Sequence, residues 1–455
     1  MVFLENVLWY LILIGVMIMI HEFGHYWAAV FFDVRVETFS LGFGPRLFGK
    51  QRGETDFRIS AIPFGGYVKM TGEQYAEPGA VAQSSGNGAI EQSGAPLDPR
   101  SLNAKPRWQR MIIAFAGPAI NVVLAVVLLA GLYMFRYPHI PNPHSPKIGY
   151  LAPDGAAAKS GIRVGDQIVQ IDDTSDPTWE QIAVKELTGA GHPLDVWVRR
   201  GDERLHIPVT PALEPKQGIG NAGWAQEMSI RVAGFVPGID AAQKAGLENG
   251  DVLVSANGLP IQSAGRLNEI ISATPGAPVD IAYSRAGKVA HAEITPIRHE
   301  IDGKERWMIG VALEPVVEIT KLGPGQALVE SLHQNVQSAQ MIFTFLEGIV
   351  ERRLSPKSLE GPIRIAQLSG ESAREGAASY IGLMAAVSLN LAVFNLLPVP
   401  ILDGGVMLML FIEMLLRRDL DLHVKETVVK VGFVFLMVIV VFVIYNDLSK
   451  ILAPS

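Results

Sequence analysis

Long apolar runs separated by polar segments predict four membrane-spanning helices. Three of the runs are almost uninterrupted, whereas one is broken near its middle by Pro398, Pro400 and two glycines. A helix of about 20 apolar residues is long enough to cross the hydrocarbon core of a bilayer. We expect the spans at residues 1–33, 107–136, 379–417 and 428–446.

The basic residues near the span ends predict the orientation of the chain. Lys and Arg are concentrated between the first two spans and in the short loop between the last two. Because cytoplasmic loops carry the excess of Lys and Arg, both segments are expected in the cytoplasm. The two termini and the long segment between the second and third spans are then expected on the outer side.

That long segment alternates short β-type runs with Gly, Pro and Asp turns, and it contains a repeat. The run 157–169 recurs at 242–254, with every position displaced by the same interval. The matched positions include Gly161 with Gly246, Gly165 with Gly250, and Asp166 with Asp251. A short helix that ends at Gly, followed by a Gly-Asp turn into a buried strand, resembles the PDZ domain, whose groove binds extended peptides.

We therefore predict two β-rich, PDZ-like domains, at residues 145–225 and 226–318. The alternative is that the Gly-Asp turns belong to another small β-rich domain, in which such turns are also common. Two copies in register favour the PDZ-like interpretation. Whether either groove binds a peptide stays open at this point.

Two further segments flank these domains and spans. Residues 71–106 are rich in Gly, Ser, Ala, Pro and Gln, and they predict a flexible cytoplasmic loop. The juxtamembrane region 319–378 contains apolar positions at helical spacing over 325–350. This spacing predicts an amphipathic helix, which could lie on the outer membrane surface or pack on the adjacent domain.

Composition agrees with a membrane protein that has substantial water-soluble mass. The 455 residues are 49% hydrophobic and only 18% charged, with a mean hydropathy of +0.26. Soluble chains usually carry about 25% charged residues. The absence of Cys excludes a disulfide scaffold, a thiolate zinc site and a cysteine nucleophile. A net charge of −7 argues against nucleic acid as a partner.

The first span carries an unusual polar cluster, His21-Glu22-Phe23-Gly24-His25. Residues four apart lie on one face of a helix, so His21 and His25 can bind one cation, with Glu22 beside them. Ionisable residues inside a span are costly, which favours a functional site. A polar patch for helix pairing is the alternative.

The interrupted span supplies a matching carboxylate. Asp403 is the only acidic residue between Glu375 and Glu413, and it follows the break made by Pro398 and Pro400. Two histidines and one carboxylate form a common open zinc site. Asp403 could also act as the N-cap of a half-helix that starts at Gly404, and the two roles are compatible.

These motifs together resemble the site-2 protease family, which consists of intramembrane zinc metalloproteases. The resemblance rests on HEFGH in the first span and on LDG after an N-x-x-P-x-P run in a later one. It includes further runs at residues 62–68, 117–121 and 361–363. The paired PDZ-like repeats resemble a bacterial branch of the family, so the similarity covers essentially the whole chain.

The resemblance implies a role for each site residue. His21, His25 and Asp403 would hold one Zn²⁺ per chain, and Glu22 would be the general base. Asn395, Pro398 and Pro400 would help to hold the substrate backbone. Within a membrane-associated β-hairpin region at residues 34–70, the edge would accept an unwound substrate as an added strand; the residues expected there are Ile59, Ser60, Ala61, Ile62, Gly65 and Gly66. Asn121 is expected to support core packing rather than catalysis.

The implied function is regulated intramembrane proteolysis in the inner membrane of a bacterium. Single-span membrane proteins would be the substrates, namely an anti-sigma factor after a first periplasmic cut and remnant signal peptides. The termini and PDZ-like domains would be periplasmic, with the active site towards the cytoplasm. The PDZ-like domains could act as a size filter over that site. A non-catalytic PDZ membrane scaffold is the main alternative, and a transporter with a broken helix is a further one.

Overall fold

The structure is a computed structural model that describes residues 2–72, 98–139, 146–214, 218–236, 238–301, 304–351, 354–356 and 359–452. Most of the predicted flexible loop at 71–106 lies outside these described residues. The described part combines long apolar helices with several β-sheets, as the sequence predicts.

The helices, in chain order, are α1 (Val2–Phe31), α2 (Arg107–Phe135), α3 (Ala156–Lys159), α4 (Trp179–Thr188), α5 (Ala241–Lys244), α6 (Ala264–Ala273), α7 (Pro324–Val350), α8 (Pro362–Glu375), α9 (Ala377–Leu396), α10 (Asp403–Leu416) and α11 (Leu422–Leu452). A short 3₁₀ helix at Leu102–Ala104 precedes α2.

The strands are β1 (Val36–Arg52), β2 (Thr55–Met70), β3 (Tyr137–His139), β4 (Ile148–Leu151), β5 (Gln167–Ile171), β6 (Thr174–Ser175), β7 (Val196–Arg200), β8 (Glu203–His206), β9 (Ala212–Glu214), β10 (Ile219–Asn221), β11 (Trp224–Gln226), β12 (Ile230–Phe235), β13 (Val252–Ala256), β14 (Leu259–Pro260), β15 (Val279–Arg285), β16 (Lys288–Ile294), β17 (Ile297–Ile301), β18 (Lys304–Met308), β19 (Val311–Pro315) and β20 (Glu318–Thr320).

Among the described residues, four helices are long and apolar enough to cross a membrane, namely α1, α2, α9 and the part of α11 at Leu422–Ser449. The predicted span at 379–417 is divided into α9 and the 14-residue α10. The break falls where proline removes a backbone N–H and disfavours helix before it. The two helices therefore meet at a turn that contains Pro398 and Pro400.

The chain separates into two compact units, and the first contains all four apolar helices. Gly24 of α1 makes close packing with α2 possible, because a methyl group there would overlap the backbone of Ala116. Helix α9 packs on α2, with Leu389 and Val393 buried against Ala125. This packing fixes α1, α2 and α9 around one another.

Strands β1 and β2 form a sheet with four segments. Residues 38–41 pair on one side with 66–69 and on the other side with 56–59, and residues 56–59 also pair with 48–51. The order across the sheet is therefore 66–69, 38–41, 56–59 and 48–51. Residues 38–41 and 56–59 are flanked on both sides. Among the described residues, the free edges of the sheet are therefore the segments 66–69 and 48–51.

The second unit contains the sequence repeat, and the repeat is also structural. Helices α3 and α5, strands β5 and β13, and helices α4 and α6 each recur with the displacement that relates the two sequence runs. The two repeats have separate cores, one around Ile168 and Ile182 and the other around Leu253 and Leu267.

Each repeat is anchored by the Asp of its Gly-Asp turn. Asp166 is almost fully buried, and both of its carboxylate oxygens accept hydrogen bonds from Arg200 at 2.8 and 2.7 Å. Asp251 makes the same paired contact with Arg285, at 2.7 Å for each bond. Hydrogen bonds from Arg285 lower the pKa of Asp251. This shared contact explains why the Gly-Asp pair recurs in the sequence.

The predicted amphipathic helix over 325–350 is confirmed as α7, which extends from Pro324 to Val350. The same juxtamembrane region contains a second helix, α8. The carboxylate of Asp447, near the end of α11, accepts hydrogen bonds from the backbone N–H groups of Gly361 and Ile363 at the start of α8. Asp447 therefore caps α8 from another helix.

Candidate metal centre

His21, His25 and Asp403 are brought together from α1 and α10. The Asp403 carboxylate lies 3.1 Å from His21 Nε2 and 3.4 Å from His25 Nε2, and the two Nε2 atoms are 3.3 Å apart. In a tetrahedral zinc site with bonds of about 2.0–2.1 Å, ligand atoms lie about 3.3 Å from one another. The spacing of the three ligands therefore fits zinc.

Both histidines are also oriented as metal-binding histidines are. His25 Nδ1 lies 2.8 Å from the carbonyl oxygen of Ile113, to which it donates a hydrogen bond when Nε2 faces a metal. His21 Nδ1 lies 3.2 Å from the side-chain amide of Asn121, which is fully buried. The α2 helix thus supplies the hydrogen-bonding partner of Nδ1 in each imidazole ring.

The Asn121 amide gives a further test of this arrangement. Its Oδ1 atom is buried and has no hydrogen-bond partner among the described residues. If the amide is flipped so that its oxygen and nitrogen exchange places, Oδ1 accepts a hydrogen bond from His21 Nδ1–H and Nδ2 takes the buried position that Oδ1 held. That proton is on Nδ1 when Nε2 is a metal ligand, so Asn121 fits a metal-bound His21.

This contact changes the role expected for Asn121. We predicted core packing from the sequence, whereas the structure adds a direct contact with a ligand side chain. The available signal was a polar residue within the apolar α2, in the Gly117-Pro118-Ala119-Ile120-Asn121 run. Gly117 in the same run leaves room for His25, because a methyl group there would overlap His25 Nε2.

Asp403 is the first residue of α10, and the preceding N-cap residue is Leu402. The cap position has no side-chain hydrogen bond, and the Asp403 carboxylate instead faces the histidines. The N-cap alternative is therefore wrong. Ile401, just before it, has a φ of +89°, which is strained for a β-branched residue and is typical of functional sites.

Glu22 follows His21 and lies beside the sheet. A methyl group on Gly66 would lie 3.1 Å from Glu22 Cγ, and the backbone N–H of Val68 is within reach of the Glu22 carboxylate. The free edge formed by residues 66–69 is thus the edge closest to Glu22. A strand added there would run past the carboxylate.

The other predicted substrate-binding residues fall in two groups. The Asn395 amide lies 3.3 Å from His21 Nε2, so it borders the metal-facing side of the ligand. Pro400 packs against Gly432 of α11, where a methyl group would lie 2.5 Å from the proline. Pro398 belongs to the same turn between α9 and α10.

The second group is in the sheet. Ile59 pairs with both Leu41 and Phe48, Ser60 pairs with Arg46, and Ile62 pairs with Phe43. The backbones of Ile59, Ser60 and Ile62 are therefore paired within the sheet. Ala61 lies between them in the same strand. Gly65 adopts a φ of +100° where the chain turns towards the free edge. Of the predicted group, Gly66 alone belongs to the edge beside Glu22.

Comparisons of the sequence with known proteins give the family of the chain. The sequence profile of peptidase family M50 matches residues 9–439 of the chain. The chain belongs to this family. The Regulator of sigma-E protease RseP of Salmonella typhimurium is 29% identical, in an alignment that covers 98% of this chain and 100% of that protein. Putative zinc metalloproteases of Vibrio cholerae and Treponema pallidum are 27% and 30% identical and match 98% and 96% of this chain.

Membership of peptidase family M50, the site-2 proteases, makes the chain a zinc metalloprotease that acts in regulated intramembrane proteolysis. The apolar helices and the relatives support a multi-pass protein of the inner membrane, with membrane proteins as substrates in the bilayer. The cluster of His21, His25 and Asp403 is a candidate metal-binding group within this M50 chain.

Proposed function

We propose that His21, His25 and Asp403 hold one zinc ion per chain and that Glu22 is the general base for hydrolysis of a peptide bond. The observation that carries this proposal is the spacing of 3.1, 3.3 and 3.4 Å among the two Nε2 atoms and the two oxygens of the Asp403 carboxylate. Bound zinc supplies an activated water and polarises the scissile carbonyl. The remaining chemistry belongs to the side chains around it.

Glu22 moves the proton. It is adjacent to His21 in the chain and is half-buried beside the sheet edge, next to Gly66. The carboxylate accepts a proton from the attacking water and then delivers it to the leaving amine. A carboxylate adjacent to two metal-binding histidines performs this role in other zinc peptidases.

The substrate is held by the sheet edge at residues 66–69. A helical substrate must unwind before its peptide bond can be attacked, and its freed backbone groups then need partners inside the membrane. Addition of the substrate as a strand provides them. Ile59 and Ile62, with about half of their surface exposed, supply apolar side-chain surface, while Asn395, Pro398 and Pro400 border the opposite side.

Single-span membrane proteins are the proposed substrates. The relative in Salmonella typhimurium is named as a regulator of sigma-E protease, which supports an anti-sigma factor that has lost its outer domain; remnant signal peptides are the second proposed class. We place the termini and the two repeats in the periplasm from the charge distribution. The repeats are proposed as PDZ domains.

The decisive experiment compares wild type with Glu22→Gln, and Glu5→Gln in the same helix serves as the control. Each protein is purified in detergent and incubated with a tagged single-span substrate that lacks its outer domain, and zinc per chain is measured. We expect about one zinc in every protein, cleavage by wild type and Glu5→Gln, and a loss of about 1,000-fold in Glu22→Gln.

The alternatives predict other outcomes. A non-catalytic PDZ scaffold would not cleave in any variant and would not need zinc. Cleavage by Glu22→Gln at the wild-type rate would exclude Glu22 as the base. Wild type without zinc would remove the metal assignment.

A further inference from the structure

The two repeats differ at a position, half-buried in the first repeat and buried in the second, that bears on peptide binding. Glu186 in α4 of the first repeat is matched, at the displacement that relates the repeats, by Ile271 in α6 of the second. Ile271 is buried in the second core, as an apolar residue at this position should be. A carboxylate at the same place costs free energy unless it is hydrogen-bonded.

Glu186 is hydrogen-bonded, and its partners lie where the loop at residues 222–223 enters β11. Oε1 accepts a hydrogen bond from the backbone N–H of Ala222 at 2.6 Å, and Oε2 accepts one from Trp224 Nε1 at 2.8 Å. Burial raises the pKa of Glu186, and these two hydrogen bonds oppose the rise. The carboxylate is therefore held by the loop that leads into β11.

The loop has a counterpart in the second repeat. Ala157 N–H donates to the Ala222 carbonyl at 2.8 Å, as Ala242 N–H donates to the Ile309 carbonyl at 2.9 Å. Gly223 and Gly310, the next residues, have φ values of +78° and +83°. Residues 222–223 and 309–310 are thus equivalent, and each pair precedes a short strand, β11 or β19.

Such a loop has the geometry of a carboxylate-binding nest. Successive backbone N–H groups around a residue with positive φ form an anion-binding concavity, and peptide-binding domains use it to hold a C-terminal carboxylate beside an edge strand. β19 is an edge strand of its sheet. Among the described residues, the N–H groups of Ile309 and Gly310 have no acceptor.

In the first repeat the same donors are occupied. Ala222 N–H binds Glu186, and Gly223 N–H donates to the side-chain oxygen of Asn221 at 2.8 Å. We propose that Glu186 is a built-in ligand of the first nest, so that the first groove is closed to a peptide C-terminus while the second is open to one. This inference rests on the proposed PDZ role of the repeats.

The test uses full-length Glu22→Gln protein, which should not degrade the probe. The probe is an eight-residue peptide that ends in leucine with a free carboxylate, and the same peptide with a C-terminal amide is the control. Binding stoichiometry is measured by titration calorimetry, with Glu186→Ile added to open the first nest. Glu180→Ala, an exposed acidic position in the same helix, is the matched control.

We expect Glu186→Ile to bind one more peptide per chain than its parent, whereas Glu180→Ala should bind the parental number. The extra site should prefer the free carboxylate over the amide by at least tenfold. An unchanged stoichiometry in Glu186→Ile would overturn the role of Glu186. Failure of every variant to bind the peptide would overturn the PDZ assignment itself.

A second measurement needs no variant at position 186. Carbodiimide-driven labelling of carboxyl groups should modify Glu180 and leave Glu186 unmodified, with or without peptide. Labelling of Glu186 that increases when peptide is added would show that the peptide displaces it, and the proposal would fail.

Discussion

Each histidine of the metal centre is oriented by a residue of α2 that is not itself a ligand. His25 is held by the Ile113 carbonyl and His21 by the Asn121 amide. Partners of this kind fix the tautomer and the ring orientation of a metal-binding histidine. The proposed zinc site is thus determined by side-chain chemistry on α1 and α10 and by packing against α2.

We expect Asn121→Leu to lower zinc affinity by about 10- to 100-fold, because His21 would lose the partner of its Nδ1–H group. The measurement is zinc affinity by competition with a chelator, together with the visible spectrum of the cobalt-substituted protein. Asn121→Asp can still accept the hydrogen bond and serves as the control. Equal affinity in the leucine variant would show that Asn121 has only a packing role.

At the scale of elements, the sheet and the repeats each present one feature that can be tested by a single substitution. In the sheet it is the free edge beside Glu22. In each repeat the feature is the buried Asp, whose carboxylate accepts two hydrogen bonds from an Arg.

Val68→Pro tests the sheet edge together with the contact of the Val68 N–H and the Glu22 carboxylate. Proline is tolerated at an edge position whose N–H points away from the sheet, but it cannot donate a hydrogen bond there. We expect the variant to retain zinc and to cleave a single-span substrate at least tenfold more slowly, measured as kcat/KM. Val68→Ala, which keeps the N–H, should stay close to wild type. A proline variant with normal kcat/KM would argue against strand addition at residues 66–69.

Asp251→Asn tests the anchor of the second repeat and its pH dependence. Arg285 lowers the pKa of Asp251 in the folded state, so the contact stabilises the repeat above the unfolded pKa of about 3.9 and is lost as pH falls through the lower folded value. At pH 7 we expect the variant to lose about 2 kcal/mol. Hydrogen exchange of β13 and β15 measures this loss.

The difference between wild type and Asp251→Asn should begin to shrink as the pH falls below about 4 and should disappear once the pH is below the lowered folded pKa, where wild type has lost the same charge. A difference that persists unchanged at low pH would assign the effect to packing. The equivalent change Asp166→Asn should act on the first repeat alone, because the two cores are separate.

At the scale of the whole molecule, the chain joins a unit that carries the four apolar helices and the proposed catalytic residues to a second unit that contains the repeats. In sequence, the repeats are inserted between α2 and α7. We propose that they act as a size filter that rejects substrates with a large outer domain.

Deletion of residues 150–315 should therefore permit cleavage of full-length single-span proteins that wild type leaves intact. The measurement is cleavage of a matched pair of substrates, one with and one without its outer domain. The same deletion combined with Glu22→Gln should cleave neither. If the deletion variant keeps the wild-type preference for the shorter substrate, the filter hypothesis is wrong.

The sequence by itself determined the features that depend on short-range spacing. The apolar runs predict the four candidate spans because hydropathy is a local property of the chain. The interval of four between His21 and His25 places both on one helical face, and the constant displacement between two similar runs reveals the repeat. Asp403 stands out as the third candidate ligand because acidic residues are rare in apolar stretches.

Only the tertiary structure decided which distant groups meet. Asn121 is 100 residues from His21, and Glu186 is 36 residues from Ala222; no periodicity connects them, since their contacts depend on how helices and loops pack. The same applies to the sheet, where β1 and β2 bend and the register leaves Ile59 between two segments and Gly66 at the edge. Spacing along the chain identifies the candidate ligands and the candidate base. Packing determines which sheet edge and which hydrogen-bonding side chains lie beside them.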